Sequence, residues 1–147
     1  MLKVSRGDRR AFELLYERFK RPIYTYLRGF DVNEAEDMLH ETFLRVYRFR
    51  ERYEPKARFS TWLWTIARNV AIDRLRHRQQ DLIEDMAQFD AAADMEANDP
   101  ELQLMLHADR SRLDRCIGNL SEAQREALQL RIIGEHSYEE IMAIMEI

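Results

Sequence analysis

The chain has 147 residues, room for one ordinary domain or two small ones, and 46% hydrophobic residues with only 4 Gly and 3 Pro leave too few turn formers for a strand-rich fold. A single cysteine, Cys116, excludes an internal disulfide framework; no signal-peptide pattern opens the chain, and no apolar run approaches the roughly 20 residues that cross a bilayer, so the expected location is cytoplasmic and away from membranes. The net charge of −4 joins unlike halves: residues 1–80 carry 18 Lys/Arg against 11 Asp/Glu, net +7, and residues 81–147 carry 5 against 16, net −11. A basic half seeks phosphates even in an acidic chain, and halves of opposite sign imply two domains with different tasks.

Asp8, after Gly7, is placed to cap a helix through Ala11-Phe12-Glu13-Leu14-Leu15-Tyr16. Phe12, Leu15, Phe19, Ile23 and Leu27 recur at helical spacing as a core stripe, while Pro22, which lacks an N–H, predicts a kink or a short break. Tyr16, Tyr24 and Tyr26 are expected to stack in the core, and Gly29, Asp31 and Asn33 mark the stop.

Asn33 with Glu36 forms a capping box that opens a helix over 34–48. Ala35, Leu39, Thr42 or Phe43, and Val46 fall on its inner side, and Glu34, Asp37, Glu41, Arg45 and Arg48 on its outer side. Both signs on one face suit a protein partner better than a phosphate backbone. A solvated helix laced by pairs such as Glu41 with Arg45 is the plainer alternative. Asp37 and His40 begin a carboxylate metal motif, and His40-Glu41 begins a zinc-protease motif. Leu44 stands where the second histidine would be, and no second carboxylate-x-x-His pair exists, so no metal or other cofactor is expected.

Residues 50–58 read as a loop. The run Arg58–Arg78 then lacks Gly and Pro, carries Ser60 and Thr61 as candidate N-caps, and predicts a helix of about five turns beginning near Thr61. Leu63, Ile66, Ala67 and Val70 form an apolar stripe, widened by Trp64, Ala71 and Leu75. The opposite row holds Trp62, Thr65, Asn69 and Arg76, with Arg68 beside it and Arg74 and Arg78 at the end. An aromatic ring, small polar groups and several guanidinium groups on one surface give bases something to stack on and phosphates something to pair with. The residues alone leave open a second reading, in which the basic side is merely solvated and Trp62 is a half-buried core residue.

Phe59-Ser60-Thr61-Trp62-Leu63-Trp64-Thr65-Ile66-Ala67-Arg68-Asn69, with Asp73-Arg74-Leu75-Arg76, resembles the segment of extracytoplasmic-function sigma factors that opens and reads the minus-ten promoter element. Housekeeping sigma factors carry adjacent tryptophans where this chain has Thr65 and Ile66, which favours the alternative class. The resemblance implies DNA contact for Trp62, Thr65, Arg68, Asn69, Arg74, Arg76 and Arg78. It also implies a pocket for a flipped-out base between the 50–58 loop and the helix start, for which Phe59, Thr61 and Asn69 are the candidates. The helix over 34–48 resembles the one that docks on the clamp helices of the largest RNA polymerase subunit. That likeness implies polymerase contact at Asp37, Glu41 and Arg45, and further at Glu36 and Arg48.

From Asp81 to Asp109 there are nine acidic residues and no Lys or Arg, so a linker is expected over 81–99. Asp99-Pro100-Glu101 reads as a helix start, and that helix runs through Leu102, Leu106, Leu113 and Ile117 to stop at Gly118. Ser121 with Gln124, and Ser137 with Glu140, form two more capping boxes; the first helix ends at Gly134 and the second turns Tyr138, Ile141 and Ile144 inward. Three capped helices with brief turns fit a helix-turn-helix domain over 100–147, and Leu120–Glu126 with Ser137–Ile141 resembles the sigma-factor domain that reads the minus-thirty-five element. In that family a basic recognition helix follows the turn after Ile144, and Glu146 stands where a turn glycine is usual. The expectation is therefore a partial domain, unable to read the upstream element.

The expected architecture is all-α, with a 1–80 domain, an 81–99 linker and a 100–147 domain. The expected function is that of an alternative sigma factor, not an enzyme, since no nucleophile-base pair or glycine-rich phosphate loop is present. Its partners would be core RNA polymerase, the non-template strand of the minus-ten element, and an anti-sigma protein. The competing reading is a helical interaction module held by an anti-sigma partner without DNA reading.

Overall fold

The structure, a computed structural model, describes residues 1–56, 58–84 and 111–147. Helices account for its regular structure: α1 (Leu2–Ser5), α2 (Arg9–Arg28), α3 (Ala35–Arg48), a 3-10 turn (Arg50–Arg52), α4 (Phe59–Glu84), α5 over 111–118, α6 (Glu122–Ile132) and α7 (Tyr138–Met145). Residues 85–99 of the expected linker and the helix start at Asp99-Pro100-Glu101 lie outside the described residues.

Helix α2 begins where Asp8 accepts a hydrogen bond from the Ala11 N–H at 3.1 Å. It runs through Pro22 without the expected break. Proline costs one backbone hydrogen bond there, but Phe19 on one side and Ile23, Tyr26 and Leu27 on the other pack into the same core, which keeps the helix continuous across the gap. Helix α3 starts one residue later than the Asn33 box predicts, at Ala35. Asp31 displaces it: its Oδ1 accepts from the N–H groups of Asn33 at 2.9 Å and Glu34 at 3.3 Å, so the turn before α3 is closed from two residues upstream of Asn33.

Helix α4 also departs from its expected start. The Trp62 N–H bonds to the Arg58 carbonyl, which puts Ser60 and Thr61 inside the helix rather than at its cap. Its apolar side is buried as the stripe requires: Leu63, Trp64, Ala67, Val70 and Ala71 are all within 1% of full burial, while Leu75 stays 36% exposed.

Helices α6 and α7 keep both predicted capping boxes, at Ser121–Gln124 and Ser137–Glu140. Tyr138 is the exception to the inward set: it is 72% exposed, with the Arg131 guanidinium over its ring. Ile141, Ile144 and Met145 turn inward instead, and with Leu130 they join one continuous core with α2, α3 and α4. The two expected units thus share an interior. Gly29 lies at one close approach between them, since a Cβ there would collide with the Gln129 side chain. Glu146 takes the left-handed conformation, φ 58°, that a glycine would adopt more easily.

Trp64 is where the units meet, its ring against Tyr26 at 4.9 Å and His136 at 5.2 Å. Trp64→Ala should therefore lower the unfolding free energy by about 3–5 kcal/mol, as for other buried aromatics. Urea denaturation measures this, and Trp62→Ala, at a half-buried position, should cost clearly less.

Candidate nucleic-acid interface

With one arc of α4 spent on the core, the remaining arc carries the expected contact residues. Asn69 is exposed, Trp62 and Thr65 are half-buried, and the Thr65 hydroxyl donates to the Thr61 carbonyl at 2.8 Å. Trp62 is wedged by Tyr53 and Phe59, with ring centroids at 5.4 and 5.9 Å. Phe59 in turn meets Phe19 and Tyr53 edge-on. Phe59 therefore buttresses the tryptophan from the loop side.

Beside Trp62 opens a cavity of about 240 Å3, lined by Arg45, Phe49, Arg52, Trp62, Ile66 and Asn69. Aromatic and apolar walls with an amide and guanidinium groups at the rim are suited to a stacked, edge-bonded base. Of the three residues expected to line a base pocket, the structure brings only Asn69 to it. Phe49, Arg52 and Ile66 were missed. The alternation of Phe49, Arg50, Arg52 and Tyr53 in the loop was the available signal, and the Arg52 guanidinium does lie over the Phe49 ring at 5.0 Å.

The arginines divide into two groups. Arg74 pairs with Glu34 at 2.8 Å and Arg78 pairs with Asp31, both lining the groove between the α2–α3 turn and the end of α4, while Arg76 is exposed outside it. Arg68 is different. Its side chain is 17% exposed, and its Nε donates to Glu126 Oε1 at 2.7 Å; Glu126 is 12% exposed and also accepts from the Tyr26 hydroxyl at 2.8 Å. Burial first, then the Glu126 charge and hydrogen bond, hold the Tyr26 phenol protonated far above its usual range. Thr61 is engaged likewise, donating to Glu140 Oε1 at 3.2 Å, with Arg58 3.6 Å from the same carboxylate. Hence α6 and α7 cover the Thr61–Arg68 flank of α4 and leave the Trp62–Asn69 flank open.

The charged stripe of α3 forms a separate surface. Glu36, Asp37 and Arg48 are exposed, whereas Arg45 is drawn inward between Glu41 at 3.0 Å and Asp73 at 3.1 Å.

His136 lies under Trp64 with no exposure, its Nδ1 3.6 Å from Glu140. Burial pushes its pKa below the ordinary 6.5; the Glu140 carboxylate opposes this and Arg58 adds to it. A histidine held neutral in the fold and free to protonate when unfolded contributes stability above pH 6.5 that is lost as the pH falls toward its folded value. Between pH 7.5 and 5 the wild type should lose up to about 1.4 kcal/mol per unit more than His136→Leu, measured by urea denaturation across the range.

A model of sigma-70 region 2 matches residues 15–80. The chain is similar to the RNA polymerase sigma factor CarQ of Myxococcus xanthus, 40% identical over 150 residues, covering 98% of this chain and 82% of the relative. It is similar to the RNA polymerase sigma-H factor of Pseudomonas aeruginosa, 32% identical, with 98% and 79% covered. The ECF RNA polymerase sigma-E factor of Haemophilus influenzae is 32% identical, with 98% and 80% covered. Among solved structures, the fold resembles CnrH in complex with the cytosolic domain of CnrY, with a TM-score of 0.66 at 20% identity, covering 99% of this chain and 80% of that one. It also resembles the sigma factor RpoE with the anti-sigma factor NepR from Bartonella quintana, with a TM-score of 0.64 at 22% identity, covering 92% and 83%.

Proposed function

The chain belongs to the extracytoplasmic-function RNA polymerase sigma factors, which act in transcription initiation and are not enzymes, and from that premise we propose how its surfaces divide the work. Core polymerase is captured through the outward stripe of α3, with Glu36, Asp37, Glu41 and Arg48 at the contact and Arg45 behind them. The non-template strand of the minus-ten element lies along the open flank of α4. Trp62, Thr65 and Asn69 meet its bases, and Phe59 braces the tryptophan.

The observation that carries this reading is the cavity beside Trp62, open on the one flank of α4 that neither the core nor α6–α7 occupies. Its rings supply a stacking surface worth about 1–3 kcal/mol per base, enough to bias a strand toward the melted state once several contacts act together. Arg74, Arg76 and Arg78 supply the salt-sensitive phosphate attraction: Arg74 gives up only a partly exposed ion pair to do so, and the Asp31 carboxylate that Arg78 would leave keeps its bonds from the Asn33 and Glu34 N–H groups. Arg68 and Thr61 join only if Glu126 and Glu140 leave them.

That same occupancy supports a second reading. With Arg68 and Thr61 engaged by α6–α7, the chain would serve as an interaction module, held by an anti-sigma protein as RpoE is held by NepR, without reading DNA. Binding of a single-stranded minus-ten oligonucleotide in the presence of core polymerase separates the two.

Under the leading reading, Trp62→Ala lowers open-complex formation about 5- to 150-fold, the equivalent of one lost stack, while core affinity stays within twofold. Asp37→Ala with Glu41→Ala does the reverse in a polymerase pull-down. Equal loss of both activities in Trp62→Ala would overturn it.

A further inference from the structure

Arg45 stands on α3 among the residues of the charged stripe, yet its side chain leaves that stripe and reaches α4. Its Nε donates to Glu41 Oε1 at 3.0 Å and its Nη1 to Asp73 Oδ2 at 3.1 Å, and the side chain is only 27% exposed. Asp73 sits one turn beyond Asn69 in the same row of α4. The cavity beside Trp62 counts Arg45 among its walls.

We propose that Asp73 is a positioning residue for base recognition: by holding Arg45 across the gap between α3 and α4, it presents the guanidinium to an extruded base stacked in the Trp62 cavity. This rests on the reading of that cavity as a base site. A guanidinium carries five N–H donors in a rigid planar fork. Two are committed, one to each carboxylate, and two bonds from different helices fix the plane. The remaining N–H groups then keep one orientation, so recognition does not require ordering a long side chain at the moment of binding. Trp62, Phe49 and Ile66 take the face of the base. Asn69 and Arg45 take its edge, and because a guanidinium only donates, Arg45 favours a base whose edge offers acceptors, guanine being the best match in hydrogen-bond pattern.

The same two carboxylates keep Arg45 charged. Burial opposes its charge, but the hydrogen bonds to Glu41 and Asp73 and their negative charges outweigh burial and push its pKa up. Glu41 holds Arg45 from within α3, four residues away, and does not set its reach toward α4. Asp73 holds it from α4 itself, which gives this carboxylate, rather than Glu41, the positioning role.

The test uses the full chain bound to core RNA polymerase. A randomised single-stranded DNA pool selected on this holoenzyme reveals the position with the strongest base preference, and affinities are then measured for the four base variants at that position. Asp73→Asn should compress the spread between best and worst base about fivefold or more, the discrimination expected of one bidentate contact, with core affinity and melting temperature unchanged. Asp73→Glu should restore most of the spread. An equal fall for all four bases with Asp73→Asn, or a parallel fall in core affinity, overturns the proposal. If Trp62→Ala abolishes the preference while Asp73→Asn leaves it intact, the base site stands and the role of Asp73 falls. Absence of any preference in the wild-type holoenzyme removes both.

Discussion

The structure depends on one helix burying a broad apolar arc. Leu63, Ala67, Val70 and Ala71 of α4 are buried in the core shared with α2 and α3, and Trp64 extends that surface sideways to Tyr26 and His136. An ordinary surface helix buries a single stripe. Here the stripe is broad enough to receive α6 and α7 as well, so Leu130, Ile141, Ile144 and Met145 complete a core the first domain leaves open. The position of the proposed strand-binding surface follows from this geometry. Only the arc through Trp62, Thr65 and Asn69 is left to face outward, and the loop aromatics Phe49, Tyr53 and Phe59 hold the first of these in place.

Magnitudes separate the arginines that the sequence puts in one group. Arg74–Glu34 joins two partly exposed side chains, and such a pair contributes about 0–1 kcal/mol, so a phosphate can replace the carboxylate at little cost. Arg78 is exposed but reaches Asp31, whose side chain is only 11% exposed and which also accepts from the Asn33 and Glu34 N–H groups. Arg68, Glu126 and Tyr26 form a largely buried set in which one carboxylate oxygen takes two donors. Removing a partner from a set like that leaves desolvated polar groups behind, at about 1–3 kcal/mol each and more where charged. Arg68 is therefore tied to the position of α6 in a way that Arg74 is not tied to Glu34.

What the sequence revealed and what it hid differ by the range of the interaction. Helical periodicity predicted the burial of Leu63, Trp64, Ala67 and Val70, and local spacing predicted the boxes at Ser121 and Ser137, because each depends on residues within one or two turns. Where a neighbouring signal competed, the stronger geometry won: Asp31 closed the turn that Asn33 was expected to cap, and Arg58 rather than Thr61 began α4. The partners of Arg68 and Thr61 lie 58 and 79 residues away, and no local pattern encodes them. Likewise Asp73 reads as one more charge on a basic helix until Arg45, 28 residues earlier, is seen to reach it. The outward turn of Tyr138 has the same origin, since the Arg131 side chain that covers its ring comes from the preceding helix.

The opposed charges of the two halves have an internal use. Glu126 and Glu140 come from the half with net −11 and are set against Arg68, Arg58 and Thr61 of the half with net +7. The acidic half acts as a counter-ion built into the chain, so a nucleic-acid strand approaching that flank of α4 competes with carboxylates already in place. Salt weakens both competitors, because each attraction is electrostatic, and it screens the partly buried carboxylates less than an incoming phosphate. The apolar part of the docking surface, from Leu130 to Met145, does not respond to salt in that way. Added salt alone thus favours the docked arrangement over the strand-bound one, and exchange on this flank requires a partner that also covers the apolar surface α6 and α7 would expose.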